Sequence, residues 1–324
     1  MRISVVVPTY RRPELLERCL RALVNQSLSA WEYEIIVADD AASDDTRQQV
    51  RFAASGGRPG ATLHYIEVEG KGHGPSVARN MGWRAAQAPV VGFTDDDTIP
   101  AADWLEQAAK LFDDRRVDAA WGRISVPLSG LPTDYERDAA GLESAGFVSA
   151  NCFVRRAVLE QLGGFDEAFG AAWREDSDLY FRLLDARHWV EYVPEAVVVH
   201  PVRRAAWGVS VRQQQKATYD ALLYKKHPKH YDDFVRPGRP WSYYPIVAAL
   251  AGMVIGAVTG NPNVTMVCAA VWLALTLNFT LRRLRGTSRT LSHRAEMVIT
   301  SALVPPVSVF WRVQGAVRHR VLFW

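Results

Sequence analysis

The stretch that decides the reading is VVGFTDDDTIP, residues 90–100. An apolar run ends in three consecutive acids, Asp95, Asp96 and Asp97. Carboxylates this close repel one another, and each resists losing its water. The run therefore either meets a cation or faces open solvent. Three stretches upstream have the same β-branched, strand-like character: ISVVVPTY (3–10), EYEIIVADD (32–40) and ATLHYIEV (61–68). Between them lie PELLERCLRALVNQ (13–26), DDTRQQVRFAA (44–54) and GPSVARNMGWRAAQ (74–87), which carry helical signals. Strands alternating with helices predict an α/β fold, a mostly parallel doubly wound sheet with helices on both faces. Ligands of such sheets bind at the carboxyl ends of the strands. Pro8-Thr9-Tyr10, Asp39-Asp40 and Asp95 to Asp97 should then share one rim.

Composition narrows the class. The 324 residues are 48% hydrophobic and 23% charged, enough for one large domain with an appendage. A net charge of +3 is too weak to argue for a nucleic-acid partner, and none is expected. Cys19, Cys152 and Cys268 are scattered, with no CxxC pair, so neither a disulfide framework nor a zinc site is indicated. A reduced, cytosolic setting is the simplest expectation. The N-terminal apolar run is too short for the core of a signal peptide, and Pro8 and two arginines follow it.

The C-terminal part reads differently. No charged residue occurs between Arg239 and Arg282. That span holds two apolar runs, 243–260 and 264–281, separated by an Asn-Pro-Asn turn. Each approaches the roughly 20 residues of a spanning helix, which predicts a membrane hairpin at about 243–281; the alternative is a buried helical pair in a soluble core. Basic residues flank both outer ends and none lies in the turn. The positive-inside rule puts both flanks, and the domain before them, on the cytoplasmic face of the cell's inner membrane. The tail at about 295–324 is broken by Pro305-Pro306 and mixes aromatics with cations, which favours a helix lying in the headgroup layer.

The segments VVVPTYRRPELLERCLRALVNQ, IIVADDAASDDT, VARNMGWRAA, VGFTDDD and WREDSDLYFRLL come in the order and spacing of inverting family-2 glycosyltransferases, which the chain resembles over about residues 2–205. The resemblance implies the GT-A type of fold. It places a nucleotide-binding half at about 1–100 and an acceptor half at about 101–235, together a catalytic domain, followed by a membrane region at 236–324. One departure stands out. Where the family usually reads DDGS, this chain has Asp39-Asp40-Ala41-Ala42, which removes a glycine from the turn.

By the same resemblance Asp95 and Asp97 are the acids of a DxD site holding Mn2+ or Mg2+, with Asp96 between them on the nucleotide. A divalent cation would neutralise these carboxylates and a diphosphate together. His200, after the β-branched run AVVV, is a third ligand, and imidazole suits manganese better than magnesium. Asp39 accepts from the imide of a uracil base, bordered by Pro8, Thr9, Tyr10, Arg12 and Asp40. Arg79 and Asn80, with Lys71 in the preceding glycine-rich loop, take the diphosphate. In WREDSDLYFRLL the family's ED motif makes Asp176 the general base with Glu175 beside it; Asp178 and Arg182, spaced i,i+4, read as a structural pair. Asn151, Trp173 and Arg174 line the acceptor side.

The leading expectation is a metal-dependent inverting transfer of a sugar from a nucleotide-sugar, a UDP-sugar above all, to a hydroxyl of a membrane-associated or lipid-linked saccharide. Two alternatives stand beside it. A polyprenyl-phosphate sugar synthase would hardly need the base that Glu175-Asp176 supply. A catalytically silent membrane scaffold would be free to lose one acid set, and both are present.

Overall fold

The computed structural model describes residues 1–56, 62–68, 70, 72–235 and 241–323. In chain order the first unit is built from β1 (Ile3–Thr9), α1 (Pro13–Leu23), β2 (Tyr33–Asp39), α2 (Asp44–Gly56), β3 (Thr62–Glu67), α3 (Pro75–Ala85), β4 (Val90–Phe93), β5 (Ile99–Pro100), α4 (Trp104–Leu111) and β6 (Ala119–Ser125). The chain then makes α5 (Asp134–Ala140), β7 (Cys152–Arg155), α6 (Arg156–Leu162), α7 (Glu175–Asp185) and β8 (Val190–Val199). It closes with α8 (Val209–Gln213), α9 (Ala217–Lys226), α10 (Pro228–His230), α11 (Tyr243–Val258), α12 (Pro262–Leu284) and α13 (Leu291–His319).

One eight-stranded sheet runs in the order β3-β2-β1-β4-β7-β6-β8-β5. β3, β2, β1 and β4 are mutually parallel, as the alternation predicts. β7 is antiparallel to both β4 and β6, while β6 and β8 are parallel. Every residue of β1 and β2 is buried, because helices cover both faces. The period of two sorts the side chains: Val5, Val7, Ile35 and Val37 face the core with Leu16, Trp104 and Phe153. Val6 and Ile36 face the other core with Trp83, Phe93 and Leu179. In register, Thr9 lies opposite Asp39 and Val6 opposite Phe93, so the ends of β1, β2 and β4 do share a rim.

The chain divides into two compact units, Met1–Pro127 with Gly141–Val202, and Leu128–Ala140 with Arg203–Trp324. The boundary expected near 235 therefore falls at 202–203. α8 and α9 pack on α13, and α5 is tied to α12 by the Asp134–Arg283 ion pair at 2.8 Å. Nor does the first unit part at residue 100, since β5 pairs with β8 inside the one sheet.

In the second unit α12 is long and apolar enough to cross a membrane by length and composition, with a mean hydropathy of 1.9 over its best window. α11 has 16 residues, short of the roughly 20 needed. The expected hairpin thus contains one helix of spanning length, not two. The two helices meet through a small-xxx-small face. A Cβ on Gly252 would come within 2.7 Å of the Cys268 sulfur, and one on Gly256 within 2.7 Å of the Thr265 nitrogen. The tail also departs from expectation, because α13 continues through Pro305-Pro306 rather than breaking there. Val304 and Pro305 are both buried, and packing against α9, α11 and α12 holds the helix past its missing donors.

Burial in α12 and α13 is reversed. Thr276, Thr280, Arg283, Thr300, Ser301, Ser308 and Arg312 are buried. Val267, Val271, Leu273, Leu277 and Leu281 of α12 are exposed, as are Val298, Ile299, Leu303, Phe310 and Val313 of α13. The usual sorting in water runs the other way.

Candidate active site

β4 ends at Phe93, and the chain turns at once through Thr94 to Asp97. Thr94 donates to the Ala150 carbonyl at 3.0 Å, and Thr98 donates to the Asp95 carbonyl at 2.7 Å. These hydroxyls hold the turn, and the three acids it carries find different partners. Asp95 accepts from Arg79 at 2.7 Å. Asp96 accepts from Thr9 at 2.8 Å and from Arg12 at 3.2 Å. Asp97 lies 3.6 Å from Nε2 of His200. Burial pushes the Asp96 carboxyl up to about 6, against the pull of Arg12 and Thr9. Thr9 and Arg12 thus reach the acid turn directly. Pro8 is buried in β1 and Tyr10 is exposed at its rim.

One ligand atom from each of Asp95, Asp97 and His200 lies within 4.8 Å of the others. Metal–oxygen bonds of about 2.1 Å let one ion span ligand atoms about 4.2 Å apart. A sub-ångström adjustment closes the set, and two carboxylates with one imidazole suit a divalent ion of the manganese type.

Arg79 projects from α3 and is 1% exposed. One arm holds Asp95, and the other holds Glu175 at 3.0 Å. Burial opposes the charge on this guanidinium, but Asp95 and Glu175 overrule it and raise its pKa. The arginine expected on the diphosphate therefore bridges the two acid sets. Nε of Arg79 and Oε2 of Glu175 are buried without a hydrogen-bond partner among the described residues, so this bridge keeps polar capacity in reserve.

Glu175 and Asp176 open α7. The preceding Arg174 takes a left-handed φ of 73° and lays its guanidinium 4.6 Å from the centre of the Trp173 ring. Glu175 is buried, whereas Asp176 is half-buried and accepts from the Ser177 backbone N–H at 2.7 Å. Desolvation pushes both carboxyls up, and for Glu175 the neighbouring Asp176 adds to the shift. Asp178 accepts from Arg182 at 2.9 Å, the i,i+4 pair expected from spacing.

Asp39 is fully buried. Its carboxylate accepts from the backbone of Ala41 at 2.9 Å and Ser43 at 2.8 Å, and from the Tyr65 hydroxyl at 3.0 Å. Tyr65 was not anticipated from the sequence; the parallel register that sets Val37 beside Tyr65 is the signal that would have found it. Asp40 accepts from the backbone of His73 at 3.1 Å and Gly74 at 2.8 Å, fixing the loop before α3. The turn that lacks the family's glycine puts Ala42 at a φ of 50°, which costs roughly 1–2 kcal/mol.

Two expected contact residues are structural. Asn80 donates to Phe165 and Glu167 and accepts from Trp83 and the Phe165 backbone, all at 2.8–2.9 Å. Its amide has no donor left for a diphosphate. Asn151, fully buried, donates to the carbonyls of Arg123 and Ala196 and accepts from Trp104. It locks strands together and does not reach an acceptor. Lys71 lies outside the described residues, as do Arg236 and Arg239 of the basic flank.

Residues 4–179 match the family described as Glycosyl transferase family 2, more than half of the chain. The chain belongs to that family. The glycosyltransferase is 24% identical over 212 residues to glycosyltransferase AglE of Haloferax volcanii, covering 62% of this chain and 67% of that one. It is 26% identical over 271 residues to validoxylamine A glucosyltransferase of Streptomyces hygroscopicus subsp. jinggangensis, covering 70% and 61%. The chain spans about two thirds or less of the length of these curated relatives. Its fold is that of the mannosyltransferase PcManGT from Pyrobaculum calidifontis, solved with GDP-Man and Mn2+, at a TM-score of 0.55 and 24% identity over 98% of this chain and 87% of that one. It is likewise that of S. aureus TarS residues 1–349 with UDP-GlcNAc, at a TM-score of 0.52 and 18% identity over 97% and 92%.

Proposed function

We propose that this glycosyltransferase moves one sugar from a nucleotide-sugar, preferably a UDP-sugar, to a hydroxyl of a membrane-associated or lipid-linked saccharide, with inversion. The observation that carries the reading is that two acid sets, Asp95–Asp97 and Glu175–Asp176, come from separate segments and are joined by one buried arginine. An inverting transfer needs that separation. The leaving diphosphate must be met on one side of the anomeric carbon and the attacking hydroxyl deprotonated on the other.

Asp95, Asp97 and His200 would hold Mn2+ or Mg2+. Such an ion stabilises the charge of a departing diphosphate as a Lewis acid. Asp176 takes the acceptor's proton as the acceptor oxygen bonds to the anomeric carbon and the bond to the diphosphate breaks. Half-burial gives it access to an acceptor, and the upward shift of its pKa makes it a better proton acceptor than an ordinary aspartate. Arg79 draws the Glu175 pKa down against burial and keeps the two acid sets in register. Trp173 and Arg174, at the start of α7, would border the acceptor. Asp39 would take a uracil imide on Oδ1, which accepts one hydrogen bond and has a second lone pair.

The membrane part of the reading rests on the second unit. Apolar side chains outward with hydroxyls and arginines inward is the sorting a bilayer demands, where chain and solvent exchange polarity. The deciding experiment is nucleotide release from a panel of UDP- and GDP-sugars, with manganese, detergent and lipid extract, followed by anomeric analysis of the product. Release only from GDP-sugars would remove the uridine assignment, and a retained anomeric configuration would remove the base from Asp176.

A further inference from the structure

The turn between α12 and α13 encloses a cavity of about 360 Å³, lined by Leu131, Leu284, Thr287, Ser288, Arg289 and Arg294. We propose that it binds the phosphate group of a membrane lipid. The proposal rests on the membrane reading above and gives the second unit a ligand site of its own.

The frame is built rather than incidental. Ser288 donates its backbone N–H to the Pro132 carbonyl at 2.8 Å, and Arg137 donates to the Arg285 carbonyl at 2.8 Å. Both bonds pin the turn to the 128–140 segment. Gly286 takes a left-handed φ of 71° where α12 stops, and the Thr290 side chain caps α13 through the His293 N–H at 3.3 Å.

The lining is amphipathic in the way a lipid phosphate requires. Arg289 and Arg294 are exposed and have no acid partner among the described residues. Of the acids of the adjoining segment, Asp134 is already held by Arg283 and Arg137, and Glu136 accepts from the Thr133 backbone N–H. Two guanidinium forks match the oxygens of one phosphate, and the Ser288 hydroxyl adds a donor, while Thr287 spends its own on the Arg283 carbonyl at 3.2 Å. Leu131 and Leu284 supply an apolar wall for the first carbons of a chain. The place fits too. The exposed apolar face of α12 ends at Leu281, and the cavity opens just beyond Arg282 and Arg283, where headgroups would meet the helix.

The test is flotation of the full chain with vesicles of phosphatidylcholine, with and without added phosphatidic acid. Wild type should prefer the phosphatidic acid vesicles. Arg289→Ala with Arg294→Ala should lose that preference about ten-fold or more, given the weight of each juxtamembrane cation, while floating normally with phosphatidylcholine alone. Arg318→Ala with Arg320→Ala removes the same charge elsewhere on the unit and should cost much less. Equal losses in the two double variants, or no preference in wild type, would overturn the site. Suppression of the preference by inorganic phosphate at concentrations matching the phosphatidic acid would make free phosphate the ligand and overturn the lipid. Wild type that floats with neither vesicle would overturn the membrane reading, a result distinguishable from loss of preference alone.

Discussion

Arg79 and Glu175 are joined at 3.0 Å inside the first unit, where both side chains are nearly inaccessible. The same guanidinium reaches Asp95 at 2.7 Å, so one cation neutralises an acid from each set. Removing it leaves the buried Glu175 carboxylate without its cation and takes one cation from the half-buried Asp95. Breaking a buried ion pair from one side typically costs about 3–5 kcal/mol, so Arg79→Ala should lower the melting temperature by roughly 10 °C. Manganese should restore more stability to this variant than to wild type, since the ion would supply Asp95 with the positive charge that Arg79 gave. Equal metal-induced shifts in thermal melts of the two proteins would separate Arg79 from the metal site.

Asp97 lies 3.6 Å from Nε2 of His200. Asp97→Ala should abolish metal-dependent nucleotide binding and leave the melting curve close to wild type. Calorimetry of UDP with manganese measures this, and unchanged binding would take the metal away from the acid turn.

The rim was legible because it rests on short-range pattern. Apolar runs ending in Thr9, Asp39 and Phe93, with helices between, dictate a parallel sheet and bring those ends together. What stayed hidden were the long-range partners. Nothing local in VARNMGWRAA shows that Arg79 turns toward Glu175, 96 residues on, or that Asn80 is consumed by Phe165 and Trp83. Polar side chains near a predicted rim read as ligand contacts, and the fold spends several of them on its own satisfaction. The Pro305-Pro306 pair misled for a related reason, since tertiary packing overrides a local helix breaker.

Asn151 tests that distinction. Its amide satisfies two backbone carbonyls and the Trp104 indole in the core. Asn151→Ala leaves three buried polar groups unpaired, at about 1–3 kcal/mol for each. Denaturant unfolding should show a loss of several kcal/mol, while any protein that remains folded should keep its KM for the acceptor. A stable variant with a raised acceptor KM would return Asn151 to the acceptor side.

Leu273 of α12 is 61% exposed. If the helix lies in a bilayer, Leu273→Arg should deplete the membrane fraction, since arginine at a helix centre costs about 2.5–3.5 kcal/mol on the insertion scale. In water the same change would be nearly neutral. Fractionation without detergent reads the difference, and a wild-type chain found in the soluble fraction at high salt would remove the membrane assignment.

Asp176 begins α7 beside Glu175, and burial raises both carboxyls above the ordinary range, Glu175 to about 7. A base works only when ionised. Turnover should therefore fall as pH drops through the raised pKa of the pair, and the fall should begin well above pH 4. Asp176→Asn keeps the shape but cannot take a proton, so kcat should drop on the order of 10²–10⁴-fold. KM for the donor should barely move, because proton abstraction belongs to the transition state. The residual rate should also lose the acid limb of its pH profile. Glu175→Gln removes a neighbouring acid and leaves Arg79 one partner short. It should cost less turnover and move the acid limb of the profile downward, since the Asp176 carboxyl then ionises without an acid directly beside it. A deeper loss of kcat in Glu175→Gln than in Asp176→Asn would move the base to Glu175. Wild-type turnover in both would leave the two acids as charge at a helix N-terminus.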